Sequence, residues 1–414
     1  MMKSDFMDKL LDGVEVEWKA LGEISEIYGG LTGKSKIDFE NGNADYISYK
    51  NIFDNIEVDF EKLESVNVST SENQHKVKYG DVLFTGSSET AEEAGMSSSV
   101  TTKFDGSVFL NSFSFGVRFN DDIHITPQFS KYLFRSHFMR TEIAKTASGV
   151  TRFNISKARF KKLQIPIPAL EVQAEIVRIL DTFTELTAEL TAELTARNKQ
   201  YNYYRDKLLI FEEGEVEWKR LGDVGEFIRG KRFVKTDIIL EGVPCIHYGE
   251  MYTHYNIWAG EAKSYISEEL AIKLRKATYG DVVMVAAGET IEDIGRGTAW
   301  LGDEDVVIHD ACFFYKSSLN PKYVAYYTRT KSFHDQIRKS ISSGKISAIN
   351  AKGFEKVIIP VPSPDEQARI VSILDKFDAI TSSITEGLPR EIELRQKQYE
   401  YYRNMLLSFP KEEV

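Results

Sequence analysis

"GGLTGKS" (29–35) is the stretch of this 414-residue chain closest to a catalytic signature. A phosphate-binding loop needs four residues between its first glycine and Gly-Lys-Ser/Thr, so that successive backbone N–H groups wrap a phosphate. Here three residues separate Gly29 from Gly33, and Tyr28 stands where the first glycine belongs. A related stretch, "IRGKRF" (228–233), keeps only Gly230 and Lys231. The spacing argues against an ATPase and for a basic turn whose N–H groups and Lys34 face phosphate. "DGVEVEWK" (12–19) has the carboxylates and lysine of a metal-dependent nuclease, but it recurs as "EGEVEWK" (213–219). Recurrence suits a structural turn at a domain junction, with Trp18 and Trp218 packed there. No Gly-rich methyl-donor loop precedes an Asn/Asp-Pro-Pro-aromatic tetrad, and the seven histidines show no ligand spacing. His247, His254 and His309 read as surface or satisfied core groups. We expect no catalytic residue, no metal and no cofactor bound by this chain.

Polar contacts to nucleic acid remain. Phosphates are met by Lys, Arg, hydroxyls and backbone N–H, and base edges by Arg, Asn, Gln or Lys. In the first half the candidates are Lys34 and Lys36, Lys50 and Asn51 in "ISYKNI", and Arg152, Asn154 and Lys157 in "SGVTRFNISK" (148–157). In the second half they are Arg229, Lys231 and Arg232, His247 and Tyr248 in "CIHYGEM", and Lys345 and Asn350 in "SSGKISAINAK". The Ser-Gly…Asn segments, alike in both halves, read as backbone clamps. The dissimilar segments would carry any sequence code. The net charge of −11 opposes nucleic-acid binding, but residues 123–170 and 311–354 are free of Asp and Glu apart from Glu142 and Asp335. Local basic runs on an acidic chain can still meet phosphate.

The chain is long enough for two or three domains with real cores. With 42% apolar and 28% charged residues it is not a disordered chain. No apolar run approaches the ~20 residues of a membrane helix, and the first residues lack a signal-peptide core. Cys245 and Cys312 are too few for a disulfide framework or a zinc site and read as core residues. These features predict a cytoplasmic protein.

The elements that must position the candidates come in duplicate. "VEWKALGEISE" (16–26) returns as "VEWKRLGDVGE" (216–226), and "YGDVLF" (79–84) as "YGDVVM" (279–284), both shifted by 200. "IPIPALEVQAEIVRILDTF" (165–183) returns as "IPVPSPDEQARIVSILDKF" (359–377), and "RNKQYNYYRDKLL" (197–209) as "RQKQYEYYRNMLL" (395–407). "DKLL" at 8–11 echoes "DKLL" at 206–209, so the repeat is circular and a pseudo-two-fold particle is its natural closed form. Within each half, "ADYISYKNIF" (44–53), "DVLFTGS" (81–87) and "SVFLNSFSFGVRF" (107–119) alternate as strands do. A helix is expected over "TPQFSKYLFRSHFMRTEIAKTA" and over its twin "NPKYVAYYTRTKSFHDQIRKSI", capped by Thr126 and Asn320 with Pro127 and Pro321 at the first position. Each block is α+β.

Between the blocks, stripe residues from Ile176 to Leu208 step by three or four without Gly or Pro, all apolar except Arg197. About forty such residues make a rod of roughly 60 Å, and a rod that long needs a partner helix. The partner is the second copy, opened by a capping box at Ser363 and Glu366 and broken by "EGLPRE" (386–391) at Gly387 and Pro389. "TAELTAEL" inside the first rod repeats a four-residue word. One more word adds about 6 Å and about 40° of rotation, close to the roughly 35° turn of one base pair.

The repeated "EVEWK-x-LG" junctions, the Thr-Ala-Glu-Leu tandem, "QAEIVRILD" with "EQARIVSILD", and "KQYNYYRD" with "KQYEYYRN" together resemble the specificity subunit of type I restriction–modification systems, in its subgroup with that tandem. The resemblance spans nearly the whole chain. It implies two similar globular target-recognition domains separated by two long antiparallel helices in a coiled coil: 1–165 first domain, 166–212 spacer helix, 213–358 second domain, and 359–414 second spacer helix broken near 387–389. It implies a non-catalytic subunit that reads an asymmetric two-part site on double-stranded DNA. It further implies helices that dock two methyltransferase subunits, to which restriction/motor subunits are added. The docking positions would be Ile176, Leu180, Leu190, Leu194, Tyr201, Tyr204, Ile370, Leu374, Tyr399 and Tyr402. S-adenosylmethionine, ATP and Mg would sit on those partners. The rival readings are an ATPase or nuclease built on the two look-alike motifs, and a coiled-coil scaffold with no nucleic-acid role.

Overall fold

Alternating apolar residues with intervening Gly and Asn turns build the sheets that carry the candidate residues. The computed structural model describes residues 10–11, 15–288, 290–342, 344, 346–382 and 387–411. The chain divides into two compact units, residues 1–190 with 392–414, and residues 191–391. In the first unit, Ser25–Gly29, Ser114–Phe119, Val82–Thr85 and Ser97–Ser99 lie side by side in an antiparallel sheet. A second sheet orders Glu64–Val66, Ala44–Ile47 and Val108–Leu110, the last pair parallel. Leu83 and Val117, with no exposed surface, fill the cores on the two sides of the first sheet.

The second unit repeats this plan with more strand. Gly225–Arg229, Cys312–Ser317, Val282–Val285, Gly297–Trp300 and Trp258–Ala259 make five strands, and Ser264–Ile266, Val243–Ile246, Val306–Ile308 and Lys276–Ala277 make four. The extra strands correspond in the first unit to the single bridges Glu57–Ser99 and Lys76–Phe109. Both "YGDV" turns place their glycine in the left-handed region, Gly80 and Gly280 at φ +89°. The buried carboxylate that follows accepts the N–H three residues back, Asp81 from Lys78 (2.8 Å) and Asp281 from Thr278 (2.7 Å). It also binds one cation across the sheet, Arg118 or Lys316, at 2.7 Å. Cys245 and Cys312 are buried, which pushes both thiols up to about 12.

The Val-Glu-Trp-Lys junctions are strands rather than turns. Glu17–Ala20 pairs antiparallel with Gln164–Ile167, and Glu217–Arg220 with Ile358–Val361. Trp18 packs edge-on to Phe138 at 5.7 Å and donates from Nε1 to the Pro410 carbonyl at 2.9 Å. Trp218, expected to be packed likewise, is 43% exposed. "ISYKNI" is strand only to Ile47, because Ser48 accepts the Asn51 N–H and caps a helix at Tyr49–Asp54. The helix after Thr126 is two helices, Pro127–Leu133 and His137–Ala144, since Ser136 caps anew. Its twin divides in the same way at Thr330, into Pro321–Tyr327 and Lys331–Arg338.

One helix runs from Leu170 to Leu208, 39 residues and therefore about 58 Å. Its first part belongs to the first unit and its last part to the second. The second copy consists of Pro364–Thr381 and Leu388–Leu406, with Gly387 at φ +83° before the second piece. Ser363 caps Pro364–Thr381, but Glu366 turns to Arg369 at 2.7 Å instead of closing the box. Inside the first unit Phe183 stacks on Tyr402 at 5.2 Å, and inside the second Tyr204 stacks on Phe377 at 5.6 Å. Each unit therefore encloses the start of one helical segment and the end of the other. This is the circular pattern of the repeat made physical.

Candidate nucleic-acid interface

Several of the expected contact residues are committed to the fold. Lys34 has a 4% exposed side chain, its ammonium held by Glu72 (2.6 Å) and by the Asn67 carbonyl (2.6 Å). In return Lys34 and Gln74 draw the Glu72 carboxyl down to about 2. Lys34 is thus a loop tie and no phosphate ligand. Gly30 before it, like Gly230 in the second unit, serves close packing. A Cβ on Gly30 would meet the Asn111 carbonyl at 1.9 Å, and one on Gly230 would meet the His309 carbonyl at 2.3 Å. The segment that follows is a short 3-10 turn, Lys36–Phe39, where a phosphate loop would open a helix.

Asn51 is likewise structural: its amide donates to the carbonyls of Asp59 (2.8 Å) and Lys62 (3.3 Å) and accepts from the Asp59 N–H (3.0 Å). Asn350 caps Ala351–Glu355 by accepting the Gly353 N–H at 3.0 Å. Its counterpart is Ser156, which caps Lys157–Phe160, and not Asn154. The Ser-Gly…Asn likeness therefore reflects a shared cap. Lys345 lies outside the described residues. Much of the second basic run is also internal: Lys316 binds Asp281, Lys322 binds Asp375, and Arg329 donates to the Asn256 and Gly297 carbonyls.

Of the remaining first-unit candidates, Arg152 lines a concavity, and Lys50 and Asn154 adjoin its lining residues in sequence or strand pairing. Tyr49, Phe53, Ser87, Ser88, Glu89, Glu93, Thr151 and Arg152 line a concavity of about 500 Å³. Tyr49 and Phe53 stack at 5.9 Å, and the Tyr49 hydroxyl donates to the Ser87 carbonyl at 2.8 Å. Arg152 donates from Nε to Ser87 Oγ at 3.0 Å and lies 5.8 Å from the Phe113 ring centre. That grip fixes the guanidinium, so little side-chain entropy would be lost were its other N–H groups to meet an acceptor. Asn154 is exposed on the strand that pairs with Ser87, Lys50 is exposed beside Tyr49, and Lys36 and Lys157 are exposed. Behind the concavity, Arg135 donates to the carbonyls of Ile52, Phe53, Asn55 and Ser97. Arg140 holds those of Glu92, Ala94 and Gly95. Burial lowers both guanidinium groups to about 10.

In the second unit Phe233, His247, Tyr248 and His309 cluster, with the two imidazoles 4.7 Å apart and Tyr248 5.2 Å from His309. Burial lowers both histidines below the ordinary imidazole value, so both are neutral at pH 7. His247 Nδ1 accepts the Gly249 N–H (3.3 Å), which leaves its proton on Nε2, while His309 Nδ1 lies 3.1 Å from the Ala311 nitrogen and 3.3 Å from Asp310 Oδ1. Arg229 and Lys231 spend one donor each on the Asp310 and Lys273 carbonyls, and Arg232 is exposed. Tyr252 donates to the Ala287 carbonyl at 3.1 Å, as Tyr49 does to Ser87. The aromatic residues Tyr49, Phe53 and Tyr252 were not among the expected contacts. The offset of 199 that joins Tyr49 to Tyr248 and Phe53 to Tyr252 was the signal for them.

The helix positions expected to dock partners are mostly spent inside the chain. Ile176 and Leu180 have no exposed surface and sit in the first unit's core. Ile370 and Leu374 do the same in the second, where Tyr201, 9% exposed, joins the core. Tyr399 and Tyr402 pack on the first core, Tyr204 covers Phe377, and Leu190 and Leu194 are half-buried. An apolar stripe at this spacing buries itself first. The outward aromatics are Tyr203 and Tyr401, 60% and 51% exposed and 198 residues apart in the repeat.

The type I restriction modification DNA specificity domain matches residues 13–197 and again 213–394. The Escherichia coli EcoR124I/EcoR124II specificity subunit is 34% identical, over 100% of this chain and 99% of its own length. A putative type I specificity subunit of Haemophilus influenzae is 32% identical over 98% of each. A chain solved in work on assembly and conformational transition of the type I R-M system superposes with a TM-score of 0.67, at 16% identity, over 95% of this chain and 98% of that one. Two family domains in one chain, with whole-length relatives, place this protein in the type I restriction–modification DNA specificity family.

Proposed function

We propose that each unit reads one half of an asymmetric two-part DNA site while the helical segments set the gap between the halves. As a member of its family the chain is a DNA sequence-recognition subunit of a type I system and not its catalyst. The observation that carries the two-part reading is the pair of unlike surfaces on like scaffolds. By the repeat, Tyr49 and Phe53 answer to Tyr248 and Tyr252, whereas Ser48, Asn111 and Arg152 answer to His247, His309 and Ile346. Arginine suits the guanine acceptors, and a neutral Nε2–H suits a single acceptor, so the two halves would be different words.

The same reading assigns the outer helix faces at Tyr203 and Tyr401 to two methyltransferase subunits, with restriction/motor subunits added for cleavage. S-adenosylmethionine, ATP and Mg would be held by those partners. The tandem word supports assigning the chain to the subgroup with tandem Thr-Ala-Glu-Leu repeats in the central spacer helix. The acidic net charge fits a subunit that grips DNA well only once basic partners complete the clamp. Methylation mapping in cells carrying the whole operon tests this. A two-part methylated motif that disappears when this chain is deleted is expected, and an unaltered methylome would refute it.

A further inference from the structure

The two units diverge over most of their surfaces, yet each is fastened to its own helical segment by the same two attachments. The first is a buried glutamine. Gln173 accepts the N–H of Thr126 at 2.9 Å and donates to the carbonyls of His124 (2.7 Å) and Pro168 (2.8 Å). Gln367, 194 residues on, accepts the N–H of Asn320 at 2.9 Å and donates to the Pro362 carbonyl at 2.9 Å. Thr126 and Asn320 are the caps of the recognition domain's own helices, Pro127–Leu133 and Pro321–Tyr327. The glutamine thus pins where each of those helices begins.

The second attachment is a tyrosine on a carboxylate. Tyr132 donates to Asp181 at 2.5 Å, and Tyr326 donates to Asp375 at 2.7 Å, again 194 apart in both members. Both tyrosines are almost wholly buried. A lysine ammonium completes each carboxylate, Lys131 at 3.1 Å in the first unit and Lys322 at 2.8 Å in the second. These lysines are not repeat equivalents. Position 325 is alanine where the first copy has Lys131, and position 128 is glutamine where the second has Lys322. The cation has moved by one turn of the helix, and the triad of hydroxyl, carboxylate and ammonium is kept. The glutamine and the aspartate stand eight residues apart on their helix, about 12 Å. Two attachments at that separation fix the direction of the domain on its helix, and the hydrogen bonds each makes off the line joining them oppose rotation about it.

We propose that Gln173 with Tyr132–Asp181, and Gln367 with Tyr326–Asp375, are phase locks: they set the angle at which each recognition domain is carried, so that the subunit accepts a single gap between its two half-sites. The inference rests on the two-part reading above. These are positioning residues, and none of them lines the concavity that would meet the bases. Loosening them lets the domain swing on its helix, which relaxes the gap and leaves the letters alone.

The test uses the complete methyltransferase complex on duplexes carrying both wild-type half-sites with the natural gap, one base pair fewer, or one more. Tyr132→Phe with Tyr326→Phe removes two hydroxyls and keeps both rings. Asp181→Asn with Asp375→Asn keeps an acceptor and removes the charge. Both pairs should reduce the preference for the natural gap by about tenfold, as expected for a lost charged hydrogen bond, without changing the half-site letters. Asn51→Ala, which weakens the first unit away from the lock, should leave the gap preference as in the wild type. An unchanged gap preference in both double variants overturns the phase lock, and so does an equal loss in Asn51→Ala. If the unsubstituted complex shows no two-part preference at all, the recognition reading has failed and the lock fails with it.

Discussion

Asn51→Ala separates a structural asparagine from a base-reading one. The side chain is 5% exposed and makes three hydrogen bonds, two to carbonyls and one from the Asp59 N–H. Alanine leaves all three partners without it. A buried unsatisfied group costs about 1–3 kcal/mol, but Lys62 is exposed and its carbonyl rehydrates, so about 2–3 kcal/mol is lost in total. For a unit of this size that lowers the midpoint of thermal unfolding by about 4–12 °C. The assay is calorimetry of the full chain, together with DNA affinity of the methyltransferase complex against salt, measured well below the transition. The midpoint should fall while the salt slope and the half-site letters stay as in the wild type. A normal midpoint with an altered letter in one half-site would refute the reasoning and return Asn51 to the interface.

Arg152→Ala should behave in the opposite way: stability within about 0.5 kcal/mol of the wild type, and either one relaxed letter in a half-site or a salt slope smaller by about one. Methylation of single-letter variant duplexes and a salt titration distinguish these. Lys34→Ala should free the 67–74 loop to faster proteolysis without changing any letter or the salt slope, since its ammonium is bound to Glu72 and Asn67. Acidification should weaken the second unit. His247, His309 and His334 are all held below the ordinary 6.5 by burial. The unfolded chain therefore binds more protons between that value and the lowered ones. The stability they allow is complete above about pH 6.5 and falls as pH drops through that window. Thermal unfolding at stepped pH should show this, and His309→Asn should flatten it.

The repeat made much of the architecture readable in advance. Matching segments 194 to 200 residues apart located the strands, the junctions and the helical blocks, because a duplicated sequence presents each element twice. The rod was readable from steps of three and four, and Leu170–Leu208 follows them. Polar residues were harder. Lys34, Asn51 and Asn350 have the chemistry of DNA contacts, but Glu72, the Asp59 loop and the Gly353 N–H reach them first. A short sequence window cannot reveal a partner 38 residues away. The stripe residues Ile176, Leu180, Ile370 and Leu374 signalled burial, and burial inside the chain takes precedence over docking a partner. Arg135 and Arg140, bound by backbone carbonyls and in Arg135 also by the Met96 sulfur, carry no local sequence signal of that role.

The division between letters and gap is tested most directly by inserting one Thr-Ala-Glu-Leu block after Leu194 and mapping the methylated motif of the complete complex. The helix would lengthen by about 6 Å and turn by about 40°. Both half-site words should persist with a longer gap between them. A changed word, or the original gap retained, would contradict the account.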